Sequence, residues 1–247
     1  MAGLLYMADI TLDRTGFDVV VNGIPAEHAM TTHRVRMPIN EYLHPGANTI
    51  AIEPAIWGSN ANPESPGKLR IKVTKDRVVD AETVSSEVLI EADIDFAVFP
   101  AGGTAIFTGD FPAEIGRPAD LAELTAIGAA EEAIITDRLR VLSDALGRQD
   151  SALLLGALSN YFERYEAAYD YVERGEMAGS YTRMLEGMRQ TGATVTFNPR
   201  LRIRRGGILV DCIGPNGAAI RAQAAGFPTY DLWLVMGVKN GEPVIVA

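Results

Sequence analysis

The sequence predicts two domains of different class: an all-β half, sandwich or barrel, over residues 1–114, and an α+β half over residues 115–247. Three observations predict this. The first half shows period-2 hydrophobic alternation broken by frequent turn signals, with no helical pattern. Apolar residues then recur at helical spacing from 117 to 192. From 194 to the C-terminus the pattern returns to short strands separated by glycine-containing turns.

In the first half, Asp9–Leu12, Phe17–Val21, Asn48–Ile52, Leu69–Thr74, Glu87–Ile94 and Thr104–Thr108 read as strands. Asn22-Gly23 directly follows an alternating run, which signals a hairpin because both residues tolerate positive φ. Pro45-Gly46 and Pro66-Gly67 mark further turns. The boundary is expected in Phe111–Ala119, where Pro112, Gly116 and Pro118 cluster.

The first helix is read from Leu121, Leu124, Ile134, Ile135, Leu139, Leu142 and Leu146, with Gly147 as its stop. Asp150 or Ser151 caps the second, which carries Leu154, Leu155, Leu158, Tyr161, Phe162, Tyr165 and Val172 and is expected to end near Gly175. The third carries Met177, Tyr181, Met184, Leu185 and Met188 and ends at Gly192. Thr194–Arg204, Ile208–Ile213, Ala218–Ala222, Asp231–Val238 and Pro243–Ala247 then form an antiparallel meander on which the helices pack.

Composition excludes several classes. The chain has 247 residues, 47% hydrophobic and 22% charged, so it can bury a sizeable core unaided. Its formal net charge is −10. Residues 1–115 hold 8 basic and 16 acidic residues against 14 and 16 in 116–247, so repulsion of acidic surfaces comes mainly from the first half. Phosphate-backbone binding is cation-driven, and no nucleic-acid partner is expected. A single cysteine, Cys212, sits in an apolar run and reads as a buried, inert thiol. No signal-like or membrane-spanning run is present, so the expectation is a cytoplasmic protein with no membrane partner.

Two resemblances sharpen the fold. Phe17-Asp18-Val19-Val20-Val21-Asn22-Gly23, then Met37-Pro38-Ile39-Asn40-Glu41-Tyr42-Leu43, then Pro45-Gly46-Ala47-Asn48-Thr49-Ile50-Ala51-Ile52 resemble the galactose-binding-like jelly roll. Here Leu43 anchors, Pro45-Gly46 turns and Asn48 starts the next strand. That implies a sandwich, with variable sugar-binding loops at its end. The order of helices then meander, ending in Asp231–Val238, Asn240-Gly241 and Pro243–Ala247, resembles the cone fold of the nuclear transport factor two and ketosteroid isomerase superfamily. That likeness implies a cavity and, in enzymes, an internal acid–base residue.

The candidate residues follow. Tyr161 and Tyr165, four apart, share a helical face, and Trp233 alternates with Asp231 on a strand of the facing sheet. The three rings are expected to line a pocket, with Asp231 as a weak catalytic candidate and Asp211 as another inward carboxylate. Trp57, Asn60 and Asn62 make a candidate sugar-holding loop. Arg200, Arg202 and Arg204 alternate onto one strand face, a solvated row or a stripe for an anion or partner. His28 and His33 lack a metal spacing and read as loop residues. Glu91, Asp93 and Asp95 share one face and read as the wet side of a sheet, with calcium as the lesser alternative. Gly102-Gly103 and Gly206-Gly207 are turns, and no phosphate loop or serine-hydrolase elbow is present. No metal or cofactor is therefore expected. The functional expectation is a non-catalytic binding or accessory protein of bacterial type, an immunity- or chaperone-like module whose partner is another protein. The alternatives are a ketosteroid isomerase-type enzyme taking a small apolar molecule, and a carbohydrate-binding module.

Overall fold

The structure, a computed structural model, describes residues 2–12, 16–29, 34–54, 67–79, 82–96, 105–116, 121, 123–169, 172–204, 206–215, 217–223, 226 and 229–247. The chain divides into two compact units: Met1–Pro118 with Ala167–Val172, and Ala119–Glu166 with Glu173–Ala247.

The first unit is a β-sandwich of two four-stranded antiparallel sheets. Strands β1 (Ala2–Leu12), β2 (Phe17–Val21), β3 (Ile24–Ala29), β4 (Arg34–Pro38), β5 (Gly46–Pro54), β6 (Gly67–Val79), β7 (Glu82–Phe96) and β8 (Phe107–Ala113) pair in the orders β4-β1-β6-β7 and β3-β2-β5-β8. Strand periodicity builds the core. Tyr6, Ala8, Ile10 and Leu12 of β1 are buried, as are Leu69, Ile71 and Val73 of β6 and Ile50 and Ile52 of β5. The β2–β3 turn places Asn22 at φ 52° and Gly23 at φ 80°, so the Asn-Gly hairpin signal is borne out.

Three asparagine side chains hold the connections of this unit. Asn22 Nδ2 donates to Tyr42 O and to Asn48 Oδ1, both at 2.8 Å, and its Oδ1 accepts the Thr49 N–H at 2.9 Å. Asn48 Nδ2 donates to His44 O and Gly46 O at 2.9 Å, while its Oδ1 also accepts the His44 N–H at 2.9 Å. Asn40, on a 3-10 turn, accepts from the Tyr6 N–H at 2.8 Å and donates to Leu4 O and Ala168 O at 2.9 and 3.0 Å. Tyr169, from the same returning segment, is buried and bonds Glu41.

The second unit is α+β. Helices α1 (Ala129–Arg148), α2 (Ser151–Ala168) and α3 (Glu176–Thr191) precede strands β9 (Thr194–Phe197), β10 (Arg200–Ile203), β11 (Val210–Ile213), β12 (Ile220–Gln223), β13 (Tyr230–Leu232), β14 (Leu234–Lys239) and β15 (Glu242–Ile245). Ile135, Leu139, Leu142 and Leu146 of α1 meet Leu154, Leu158 and Phe162 of α2, Leu185 and Met188 of α3, and the sheet residues Val210, Cys212, Ile220, Leu234 and Met236. Asn240 and Gly241 turn β14 into β15 at φ 53° and 79°.

Four local expectations are corrected. Residues 121 and 123–128 are not helical. Leu124 instead covers Gly237, and Thr125 N–H and Ile127 N–H bond the carbonyls of Val238 and Gly207. Helix α1 runs through Gly147 to Arg148, because Gln149 takes the left-handed position at φ 57° and Asp150 N–H reaches back to Ala145 O. Helix α2 stops at Ala168, seven residues before Gly175, where Asn40 captures the Ala168 carbonyl. The strands divide into two sheets, β10-β11-β14-β15 and β13-β12-β9, rather than one meander.

The Asn48 amide makes four bonds while 1% exposed. Asn48→Ala strips partners from two backbone carbonyls, one N–H and Asn22. It is expected to cost about 3 kcal/mol in urea unfolding, against no loss for the exposed α2 control Asn160→Ala, where alanine is the better helix former.

Candidate functional site

Titratable and aromatic side chains gather at four places, two in each unit. The first follows from strand alternation in β10 and β11. Cys212 and Leu234 face the helices, so their neighbours Asp211 and Trp233 take the other face. Asp211 is fully buried and lies opposite Arg202 in the strand register. Its Oδ2 accepts Arg202 Nε at 3.1 Å and Nη2 at 2.5 Å, and lies 2.9 Å from Arg204 Nε. Its Oδ1 accepts the Trp233 indole N–H at 3.1 Å. One carboxylate thus organises two guanidiniums and an indole. The arginine row is graded: Arg200 is exposed, Arg202 half-buried and Arg204 buried. Burial pushes the neighbouring Cys212 thiol up, with the Asp211 charge adding to it.

The second place is aromatic. Tyr161 and Tyr165 meet along α2 as tilted rather than stacked rings, with centroids 6.3 Å apart and planes at 47°. Their cluster continues through Phe162 to Tyr181 of α3 at 5.6 Å and on to Tyr230 of β13 at 5.6 Å. The Tyr230 hydroxyl donates to that of Tyr181. Burial pushes Tyr181 up to about 12, the bond from Tyr230 opposing it. Burial, then the Tyr181 hydroxyl, pushes Tyr230 up as well. Both are neutral donors at physiological pH. Sequence reading did not single out these two as site residues, because a lone Tyr on α3 and another at a strand start carry no spacing signal.

Trp233 sits between β13 and β14, and Leu232 and Leu234 on either side of it both join the helix-facing core, so Asp231 and Trp233 share the other face, away from the α2 tyrosines. Asp231 is exposed and clasped across β12–β13 by Arg221, at 2.5 Å from Nε and 2.7 Å from Nη2. Trp57, Asn60 and Asn62 lie outside the described residues, as do His33 and Gly102-Gly103.

In the first unit, His28 is on β3 rather than in a loop. It lies directly opposite the buried Asp18 of β2, and its Nδ1 bonds the Asp18 carboxylate. A β-bulge follows at Ala26, between the Val19–Glu27 and Val20–Pro25 pairs. Glu27 points to the face of Phe17 and Val19, where burial holds its carboxyl above the usual range.

The fourth place is an edge. Among the described residues β7 pairs only with β6, and Glu82–Val88 are exposed on both faces. Register sets Asp95 opposite Lys68, Asp93 opposite Arg70 and Glu91 opposite Lys72, with nitrogen–oxygen distances of 3.9, 3.2 and 3.8 Å. These three carboxylates thus stand on the wet face expected of them. Val84 and Val88 are 58% and 45% exposed. Sequence reading missed this edge, because nothing local says which strand ends a sheet.

No helix among the described residues is long and apolar enough to cross a membrane. Among those residues no group of three or more His, Cys, Asp or Glu is placed to hold a metal. In comparisons with known proteins, no family model matches the chain, and neither a curated protein nor a solved structure matches it.

Asp211→Ala should cost about 3–5 kcal/mol in denaturant unfolding, because it leaves two guanidiniums without their shared carboxylate. Glu27→Gln tests the opposite sign. A carboxyl raised above 4.5 in the fold contributes stability below pH 4.5 that is lost as pH rises through its native value. The variant should therefore melt higher than the parent at pH 7 and with it at pH 3.

Proposed function

We propose that the chain is a non-catalytic binding protein whose partner is another protein, engaged by strand addition along β7. The observation that carries this reading is the β7 edge itself. It is 15 residues long, unpaired on its outer side among the described residues, and exposed on both faces from Glu82 to Val88. An unpaired edge offers a row of backbone donors and acceptors to an incoming strand. By contrast, Asp231 is taken by Arg221 and Asp211 by two arginines and an indole, which supports a binding rather than an acid–base role.

The finer fold readings belong to the same proposal. Asn22-Gly23 at a hairpin, buried Leu43 and Asn48 near the start of β5 support the galactose-binding-like jelly roll. Three helices followed by strands that end in the Asn240-Gly241 hairpin support the cone fold. The single, buried Cys212 supports a cytoplasmic setting. One observation favours the second reading, a small-molecule enzyme: the paired hydroxyls of Tyr181 and Tyr230 could donate to a ligand carbonyl. If so, cyclic ketones should raise the melting temperature of the wild type and not of Tyr230→Phe.

The binding reading is tested with a probe of alternating chemistry. A fluorescent (Lys-Ile)4 peptide is expected to bind in the micromolar range at 50 mM salt, and to lose at least tenfold in affinity against Asp93→Lys. A (Glu-Ile)4 peptide should not bind. Equal binding of both peptides, or of neither, overturns the β7 site.

A further inference from the structure

We infer that the strand accepted by β7 is β10 of a second copy of this chain, so that copies associate head to tail. The inference rests on the β7 reading and adds the identity of the occupant.

The argument begins with charge. Strand β7 carries Glu82, Glu87, Glu91, Asp93 and Asp95 and no cation. Strand β10, Arg-Leu-Arg-Ile, carries two cations and no anion. Among the described residues both stand at the end of a sheet, β7 beside β6 and β10 beside β11, so each has one set of backbone groups facing away from its neighbour. Spacing matches as well. Arg200 and Arg202 are two apart on one face, as are Glu91, Asp93 and Asp95. An antiparallel pairing that sets Arg200 opposite Asp93 also sets Arg202 opposite Glu91 and Ile203 opposite Ile90. Ile203 is 45% exposed, and Ile90 is only half-buried. One register therefore joins the Arg200–Asp93 pair, sets Glu91 beside Arg202, which Asp211 also holds, and covers an exposed isoleucine. Pairing of β7 with a second β7 would set carboxylate against carboxylate, which the same charges resist. Because the two edges differ, the contact is heterologous and leaves a free edge at each end, so it propagates into rings or chains.

Analytical ultracentrifugation across protein concentration tests this at 150 mM salt. Wild type is expected to rise from the 26.6 kDa monomer past the dimer. Two variants each disable one edge at exposed positions: Arg200→Glu with Ile203→Asp, and Glu91→Lys with Asp93→Lys. Circular dichroism melts confirm that each is folded. Each alone should stay monomeric, and their equimolar mixture should stop at a 1:1 dimer, since one intact β7 then meets one intact β10. A wild type that stays monomeric at several hundred micromolar overturns the inference. So does association that survives in either variant alone, or a mixture that stays monomeric while wild type associates. A peptide of residues 198–206 separates the two levels. If it binds wild type but not Glu91→Lys/Asp93→Lys while the protein stays monomeric, self-association is wrong and the β7 site stands. If neither it nor (Lys-Ile)4 binds, both fall.

Discussion

The first unit depends on amide saturation. Turns crossing the end of a sandwich must bury backbone groups that no ladder reaches, and each such group costs about 1–3 kcal/mol if left unmet. Asn22, Asn40 and Asn48 meet those groups with both ends of their side chains. An amide carries two N–H donors and a carbonyl acceptor on separate atoms, the donor–acceptor pair of a peptide group, whereas a serine has one hydroxyl proton on a single oxygen and an ionised aspartate only accepts. The Gly116 backbone, at φ 151°, passes so close to the Leu43 carbonyl that a Cβ there would lie 2.0 Å from the oxygen. Loop lengths are thereby fixed, and with them the register in which β5 meets β2 and β8.

The second unit solves a related problem with charge. Its sheet β10-β11-β14-β15 buries Asp211 on the face opposite the helices. A lone carboxylate there would pay several kcal/mol of desolvation. Two arginines and an indole N–H surround it, and the pairing is directly cross-strand, so it also locks β10 to β11 in one register. Glu166 does comparable work at a helix end, accepting from the N–H groups of Gly175 and Met177 at the start of α3.

What the sequence disclosed follows from how local each signal is. The Asn22-Gly23 and Asn240-Gly241 turns were legible because their chemistry depends on two adjacent residues. The helices were legible by period, as were the Asp150 cap of α2 and the Gly192 stop of α3, but the start and stop of α1 and the stop of α2 were not. Leu121 and Leu124 keep helical spacing by coincidence, since Leu124 fills the space above Gly237, far along the chain. The stop of α2 was illegible because Asn40, 128 residues away, supplies it. The arginine row could be placed on one face by alternation. That Arg202 and Arg204 converge on Asp211 could not, since it depends on which strand neighbours β10. The Asp18–His28 pair was missed for the same reason, a cross-strand fact invisible to spacing along one strand.

The edge strand shows how a protective device can also be selective. Charged residues and bulges on an edge discourage indiscriminate pairing. Strand β7 has both, with register shifts near Val73/Thr74 and Arg77/Val78. Its guards are all of one sign, however, and guards of one sign exclude only strands that share that sign or bring no compensating charge. Lys68, Arg70 and Lys72 neutralise the carboxylates from the β6 side alone. These are exposed pairs, each contributing about 0–1 kcal/mol, so the carboxylates are not committed to them. A basic strand arriving on the open side adds a second cation to each carboxylate and gains the backbone ladder as well. The same charges that keep an acidic protein from pairing with its own β7 therefore leave the edge open to one kind of strand.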